Sequence, residues 1–242
     1  MSMFKEIISD ILGLLYPPLC PVCGDTMSHN EYFVCTACRY RAPMTRLWMQ
    51  ADNPMIRRLD GLLPVRHASA FLWFVTDSRW QELIHKFKYQ GKWLYARRLG
   101  EWFGGELVNS GLYGDIDTII PIPLHRRKRL SRRYNQAEYI ADGIASVLGV
   151  KVDRQSVVRR VNNPSQTLCT ENERWNNVDG IFEVRNPEAL RGKHILLVDD
   201  VFTTGATMVS CGTAILRSTG LDDVQLSIAA IAATKHSMAI DK

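Results

Sequence analysis

Apolar residues at Met3, Phe4, Ile7, Ile8, Ile11, Leu12 and Leu15 recur at helical spacing with Lys5, Glu6 and Asp10 opposite them, which predicts an amphipathic N-terminal helix. Periodicity is weak over residues 39–66. There Arg39, Arg41, Arg46, Arg57, Arg58 and Arg66 stand among Pro43, Pro54 and Pro64, and the stretch reads as a linker with short elements, either a solvated connection or a strip facing nucleic acid. From residue 68 strand-type runs alternate with helix-type ones. Residues 68–75 predict a strand, and Trp80, Leu83, Ile84 and Phe87 form the apolar face of a helix that Asp77 is placed to cap. Trp93, Leu94, Leu99, Trp102, Phe103 and Leu107 mark a second helix. Residues 117–123 are a short buried strand that ends at Pro121 and Pro123, since proline cannot donate to a sheet ladder. Tyr134, Ala137, Ile140, Ala141, Ile144 and Leu148 predict a helix closing at Gly149. Another strand is expected from residues 150–158, an exposed loop over 159–179, a short apolar run at 180–184 and a central apolar strand at 193–198. A helix ending at Gly220 and a strand over 224–233 complete the pattern.

Strands alternating with helices predict an α/β domain on a largely parallel sheet over residues 67–242, preceded by a smaller N-terminal part, residues 1–66. Composition agrees: 46% hydrophobic and 23% charged residues place the chain among globular proteins rather than disordered ones. The net charge of +5 permits a polyanionic partner without requiring one. The N-terminal helix is too short to span a bilayer, its polar face carries Glu6 and Asp10, and no small-residue cleavage site follows it. Transmembrane and secretory roles therefore fail. Packing of this helix on its own domain is expected, and a cytoplasmic location with reduced cysteines follows.

Cys20-Pro21-Val22-Cys23 and Cys35-Thr36-Ala37-Cys38 are two CxxC pairs separated by eleven residues. Two-residue spacing lets both thiolates of a knuckle reach one ion, Gly24 permits the backbone turn, and four sulfurs satisfy tetrahedral Zn2+. A closed set of four ligands leaves no open position for chemistry, so the predicted module is a structural, zinc-ribbon-like one. Redox or disulfide pairs are the alternative, disfavoured by a reducing compartment and by the doubled knuckle. Cys169 and Cys211 have no CxxC partner and read as ordinary small residues.

The apolar run Ile195-Leu196-Leu197-Val198 delivers Asp199 and Asp200 to the carboxyl end of a strand, where open α/β sheets bind ligands. Thr203-Thr204-Gly205-Ala206-Thr207 then bends into a helix. Gly205 allows close backbone approach, the hydroxyls donate, and the free amides of a first helical turn favour an anion such as phosphate. Carboxylates so near would repel that phosphate unless they face ribose hydroxyls or hydrated Mg2+. Phosphate on one side and diol on the other describe a ribose phosphate. A phosphorylated receiver domain also opens on Leu-Val-Asp-Asp, but it needs further units beyond the 42 residues that follow Asp200. Solvated turn residues and a threonine cap account for single positions but not for the whole string.

Residues 195–207 resemble the PRPP-binding signature of type I phosphoribosyltransferases, PRPP being 5-phosphoribosyl-1-pyrophosphate. Nearly the whole chain is similar to the ComF family of phosphoribosyltransferase-like competence proteins. The similarity is carried by the four-cysteine module, Lys88-Tyr89-Gln90-Gly91, Pro121-Ile122-Pro123-Leu124-His125, Arg133-Tyr134-Asn135-Gln136-Ala137, and Pro164-Ser165-Gln166 with Arg174 and Asn177. The resemblance implies a mainly parallel phosphoribosyltransferase sheet flanked by helices. It implies that Asp199 and Asp200 hold the ribose hydroxyls, directly or through Mg2+, and that Thr203, Thr204, Gly205, Ala206 and Thr207 hold the 5′-phosphate. The turn after Pro123, with His125, Arg126, Arg133, Asn135 and Gln136, would face pyrophosphate, and residues 160–177 would close over the site. Val161-Asn162-Asn163-Pro164 departs from the more basic or threonine-containing stretch common in the family.

Arg126, Arg127, Lys128, Arg129, Arg132 and Arg133 crowd six cations into eight positions. Three roles stay open: a solvated, helix-capping turn, contact with pyrophosphate, or single-stranded nucleic acid, for which Tyr134, Trp175 and Tyr89 offer stacking faces. Two functions remain as well. One is transfer of a phosphoribosyl group from PRPP, with no general base apparent. The other is a DNA-handling role in DNA uptake, in which PRPP or a nucleotide is a ligand and the zinc module meets DNA or a protein partner.

Overall fold

A computed structural model describes residues 17–124, 134–160, 180–221, 223–235 and 238. The expected N-terminal helix, the cations of residues 125–133, and residues 161–179 with Cys169, Arg174 and Trp175 lie outside the described residues. Seven strands are described: β1 (His67–Trp73), β2 (Thr118–Pro121), β3 (Lys151–Val152), β4 (Val157–Arg159), β5 (Phe182–Val184), β6 (His194–Phe202) and β7 (Gln225–Ala233). The helices are α1 (Thr36–Tyr40), α2 (Pro54–Leu59), α3 (Arg79–Tyr89), α4 (Trp93–Ser110), α5 (Gln136–Leu148) and α6 (Ala206–Thr219).

Five strands form one wholly parallel sheet in the order β1-β7-β6-β2-β3, while β4 and β5 make a separate antiparallel pair. Helices cover both faces of a sheet of this kind, and its strands are apolar on both sides. Successive side chains alternate accordingly. Ile195 and Leu197 of β6 join a core with Met55 and Leu59 of α2 and Met208 and Ile215 of α6. Leu196 and Val198 join the opposite core, with Leu83 of α3, Leu99 of α4 and Ile140 of α5. Helices α4 and α5 meet backbone to backbone. A Cβ on Gly143 would stand 2.1 Å from the Arg97 carbonyl oxygen, and one on Gly100 would stand 2.3 Å from that of Ile140.

The structure departs from the sequence pattern at three points. Ser78, not Asp77, caps α3, accepting from the Gln81 amide; Asp77 sits one residue further out in the left-handed region, at φ 57°, and its amide donates to Gln81 Oε1 at 2.6 Å. The strand expected over residues 150–158 is split, because the Asp153 carboxylate accepts the Gln155 and Ser156 amides in a local turn that lifts the chain out of the main sheet between β3 and β4. Residues 47–63 carry the short elements expected and keep Arg57 and Arg58 exposed, but Leu47, Trp48, Met55, Leu59 and Leu63 are buried. Trp48 contacts the rings of Phe71 and Phe103 on one face, while Met55, Leu59 and Leu63 fill the core on the other. Side chains shared between two cores leave no single period to read.

Candidate functional site

The ladder between β2 and β6 ends at Pro121 opposite Val198, with one further bond from the Ile122 amide to the Val198 carbonyl. Strand β6 continues alone on that side through Asp199 and Asp200 to Phe202, held by β7, where Ala230, Ala232 and Ala233 are its partners. Its carboxyl end is therefore open on the β2 side. Strand alternation turns the two carboxylates to opposite faces. Asp200 meets Lys88 at the end of α3, Nζ to Oδ1 3.0 Å, and the two side chains are only 15% and 14% exposed. Asp199 lies within the electrostatic reach of Arg159 of β4 and of Cys211, and its Oδ1 accepts the Asp200 amide at 2.8 Å. Burial, and then the charge of Asp200, push the Asp199 carboxyl up to about 7 against the pull of that amide, Lys88 and Arg159.

Beyond Phe202, Thr203 and Thr204 are exposed and Gly205 opens α6 at φ 80°, a left-handed conformation that glycine adopts without a steric cost. Space demands glycine as well, since a Cβ there would stand 2.8 Å from the buried Phe202 ring. A capping residue with no side chain leaves the first-turn amides of α6 without a cap from that position, although the Thr204 hydroxyl accepts from the Ala206 amide at 3.3 Å. Thr203, Thr204, Gly205, Ala206 and Thr207 thus form one turn and helix start soon after the two acids, with Thr203, Thr204 and Ala206 exposed and Gly205 buried beneath them, suited to an anion.

The residues expected to face pyrophosphate are placed differently from one another. His125, Arg126 and Arg133 lie outside the described residues. Asn135 and Gln136 are 4% and 1% exposed and bond to main chain. Asn135 caps α5 by accepting from Ala137 and donates to the Ile122 carbonyl at 3.0 Å, while Gln136 donates to the Lys88 carbonyl at 3.2 Å. Tyr134 donates its hydroxyl to the Phe87 carbonyl. The start of α5 therefore ties the end of β2 to the end of α3, where Lys88 stands. Nothing in the sequence gives Lys88 or Arg159 a role at Asp199 and Asp200, because their partners are distant along the chain. The one available signal was the presence of Lys88 in the Lys88-Tyr89-Gln90-Gly91 run. Beside these residues opens a cleft of about 520 Å³, lined by Pro121, Pro123, Arg154, Arg159, Arg160 and Arg185 among others. Arg154 and Arg160 are paired with Asp142 and Glu183, whereas Arg159 has its guanidinium over the Phe182 ring, 5.4 Å from the centroid.

A second cluster lies in the N-terminal part. The ligand atoms of Cys20, Cys23, Cys35 and Cys38 all fall within 4.8 Å of one another, with Cys23 and Cys35 Sγ 3.6 Å apart. The four thiols are free, and the separation of Cys23 from Cys35 is far longer than the ~2.05 Å of a disulfide. It matches the ~3.8 Å expected between thiolates about 2.3 Å from one tetrahedral ion. Amides of Cys35 and Cys38 donate to the sulfurs of Cys20 and Cys35, both at 3.4 Å. Burial opposes ionisation of Cys20, yet the amides of Cys35, Cys23 and Val22 outweigh it and lower that thiol to about 7. This donor set can hold one metal ion. The module rests on the α/β domain: Lys86 donates to the Pro21 carbonyl at 2.9 Å, and Arg39 lies over the Trp102 ring. Among the described residues no helix is long and apolar enough to cross a membrane.

Residues 135–239 match the phosphoribosyl transferase domain family. The DNA utilization protein YhgH of Salmonella typhi is 30% identical over 216 residues, covering 85% of this chain and 93% of that protein. The competence protein ComFC of Bacillus subtilis is 28% identical over 193 residues, 78% of this chain and 68% of that protein. Among solved structures, adenine phosphoribosyltransferase from Saccharomyces cerevisiae is similar over 62% of this chain and 73% of its own, at 16% identity and a TM-score of 0.36.

Proposed function

Because the chain belongs to the ComF family of phosphoribosyltransferase-domain proteins, we propose that it binds PRPP across the carboxyl end of β6 and the first turn of α6. One juxtaposition carries this reading: two strand-end carboxylates stand just before a helix start whose capping residue is glycine. The 5′-phosphate takes the amides and hydroxyls of Thr203, Thr204, Gly205, Ala206 and Thr207. Asp199 and Asp200 take the ribose hydroxyls, directly or through Mg2+. His125, Arg126 and Arg133 meet the pyrophosphate, and Asn135 and Gln136 fix the start of α5 that follows them in sequence.

As an enzyme, the chain moves the phosphoribosyl group to a nucleophile: the bond from C1′ to the pyrophosphate oxygen breaks, the bond to the acceptor forms and pyrophosphate departs. Its own residues position the donor and exclude rival geometries. Mg2+, when bound, supplies charge neutralisation on the leaving group. No residue is assigned as a general base for the acceptor. The cysteine cluster we assign to structural Zn2+, a closed four-thiolate set that fits the reducing interior of a cytoplasmic protein.

The test is calorimetric titration with PRPP, with and without Mg2+, of wild type and of the Asp199→Asn/Asp200→Asn double variant. Loss of two charge-assisted contacts should weaken binding roughly a hundredfold. Unchanged affinity would sink the assignment. A second reading, handling of single-stranded DNA, has the names of the relatives and one surface feature in its favour: Tyr89 and Trp93 are 60% and 41% exposed beside the start of α4. Bases stack on such rings. Fluorescence anisotropy with a labelled oligonucleotide checks it, and affinity unaffected by Tyr89→Ala together with Trp93→Ala would remove this surface.

A further inference from the structure

Lys88 stands at the carboxyl end of α3, held on both sides. Phe87 before it is fully buried and its carbonyl accepts the Tyr134 hydroxyl; the Lys88 carbonyl accepts Gln136 Nε2 at 3.2 Å; and the Gln90 amide closes the helix on the Lys86 carbonyl at 2.9 Å. The backbone of Lys88 is thereby fixed at the rim of the site, and only its four-carbon stem is free to turn. Its ammonium is spent on Asp200 at 3.0 Å, with both groups mostly withdrawn from water. Such a pair gains little stability over its desolvation cost, yet removing one partner strands the other charge. Across the strand end stands Arg159, so a cation flanks the acidic pair from each face of the sheet. A lysine used only for stability would not need two segments, each bearing a distinctive sequence run, clamped together to place it.

We propose that Lys88 is a pyrophosphate-binding residue whose ion pair with Asp200 is the resting state of the site. When ligand enters, Asp200 exchanges the ammonium for the ribose hydroxyls or their metal, and Lys88 swings to the diphosphate. This rests on the PRPP reading above and adds an order to it: neither charge is ever left buried alone. It also gives the Lys88-Tyr89-Gln90-Gly91 run, and the Tyr134-Asn135-Gln136 run that grips it, one common purpose.

The experiment titrates wild type, Lys88→Gln and Lys88→Arg with ribose 5-phosphate and with PRPP, each with Mg2+, and compares the two ligands. Lys88→Gln should weaken PRPP about tenfold or more, the loss of one charge-assisted contact, while ribose 5-phosphate binds no more weakly than to wild type. Lys88→Arg keeps the cation and should retain most of the PRPP affinity, which also shows that substitution here preserves the fold. Equal weakening of both ligands by Lys88→Gln, or PRPP affinity that is unchanged or improved, overturns the exchange and leaves the ribose phosphate site standing. Wild type that binds neither ligand overturns both.

Discussion

At Gly205 two independent demands meet: a backbone angle of φ 80° and a distance of 2.8 Å from where a Cβ would be to the Phe202 ring. Gly205→Ala should therefore cost about 1–3 kcal/mol of stability, measured by denaturant unfolding, and should weaken ribose 5-phosphate binding by misplacing the first-turn amides. Full stability with full affinity would show that this turn is not under the constraint described. The acids, threonines and glycine of this string were legible in the sequence because their chemistry is local: strand end, turn and helix start follow within a few residues. Lys88 and Arg159 were not legible as partners of Asp200 and Asp199, because only the folded sheet brings α3 and β4 to the end of β6. Nor does a sequence reveal that Asn135 and Gln136 turn inward to main-chain carbonyls.

The elements themselves were mostly readable from apolar spacing, and their misjudged ends have physical causes. β6 outlasts its apolar run because β7 offers alanine partners as far as Ala233, so Asp199 and Asp200 are strand residues rather than turn residues. The turn at Asp153 breaks the expected strand because a side chain takes two amides that the ladder would have used. At the opposite end of the sheet, β6 begins with His194, whose ring nitrogens meet Asp115 at 3.1 Å and Ser227 at 2.8 Å, while His67 begins β1. Burial lowers both imidazoles below the ordinary value of 6.5, helped by the charge of Arg66 and, for His67, of His194, against the pull of Asp115. A histidine held below its unfolded value contributes stability above that value, and loses it as pH falls, because the unfolded chain takes up the proton first. Unfolding free energy should thus decline as pH drops from roughly 7 to 5, less steeply in His194→Gln. Identical slopes in the two proteins would show that this imidazole does not set the decline.

On the scale of the molecule, the CxxC spacing announced the cysteine module, but nothing announced how firmly it is seated. Cys20, Val22, Val34 and Cys35 share one core with Phe71, Leu99 and Ile140, and Lys86 reaches from α3 to Pro21 in the first knuckle. Metal removal should accordingly unsettle more than the module. Chelation is expected to lower the melting temperature of the whole chain by on the order of 10 °C, and fully reduced, chelator-free protein should hold about one Zn2+ per chain. Substoichiometric metal in such protein would contradict a four-thiolate site. Helix α3 thus carries a lysine to the cysteine module and another to Asp200, which links the module and the proposed ribose phosphate site through one helix. That site is the central claim, and a crystal structure with Mg2+ and PRPP tests it most directly. Density for the 5′-phosphate should lie on the amides of residues 203–207 with the ribose beside Asp199 and Asp200; a 5′-phosphate away from residues 203–207, or a ribose away from both acids, would contradict the account.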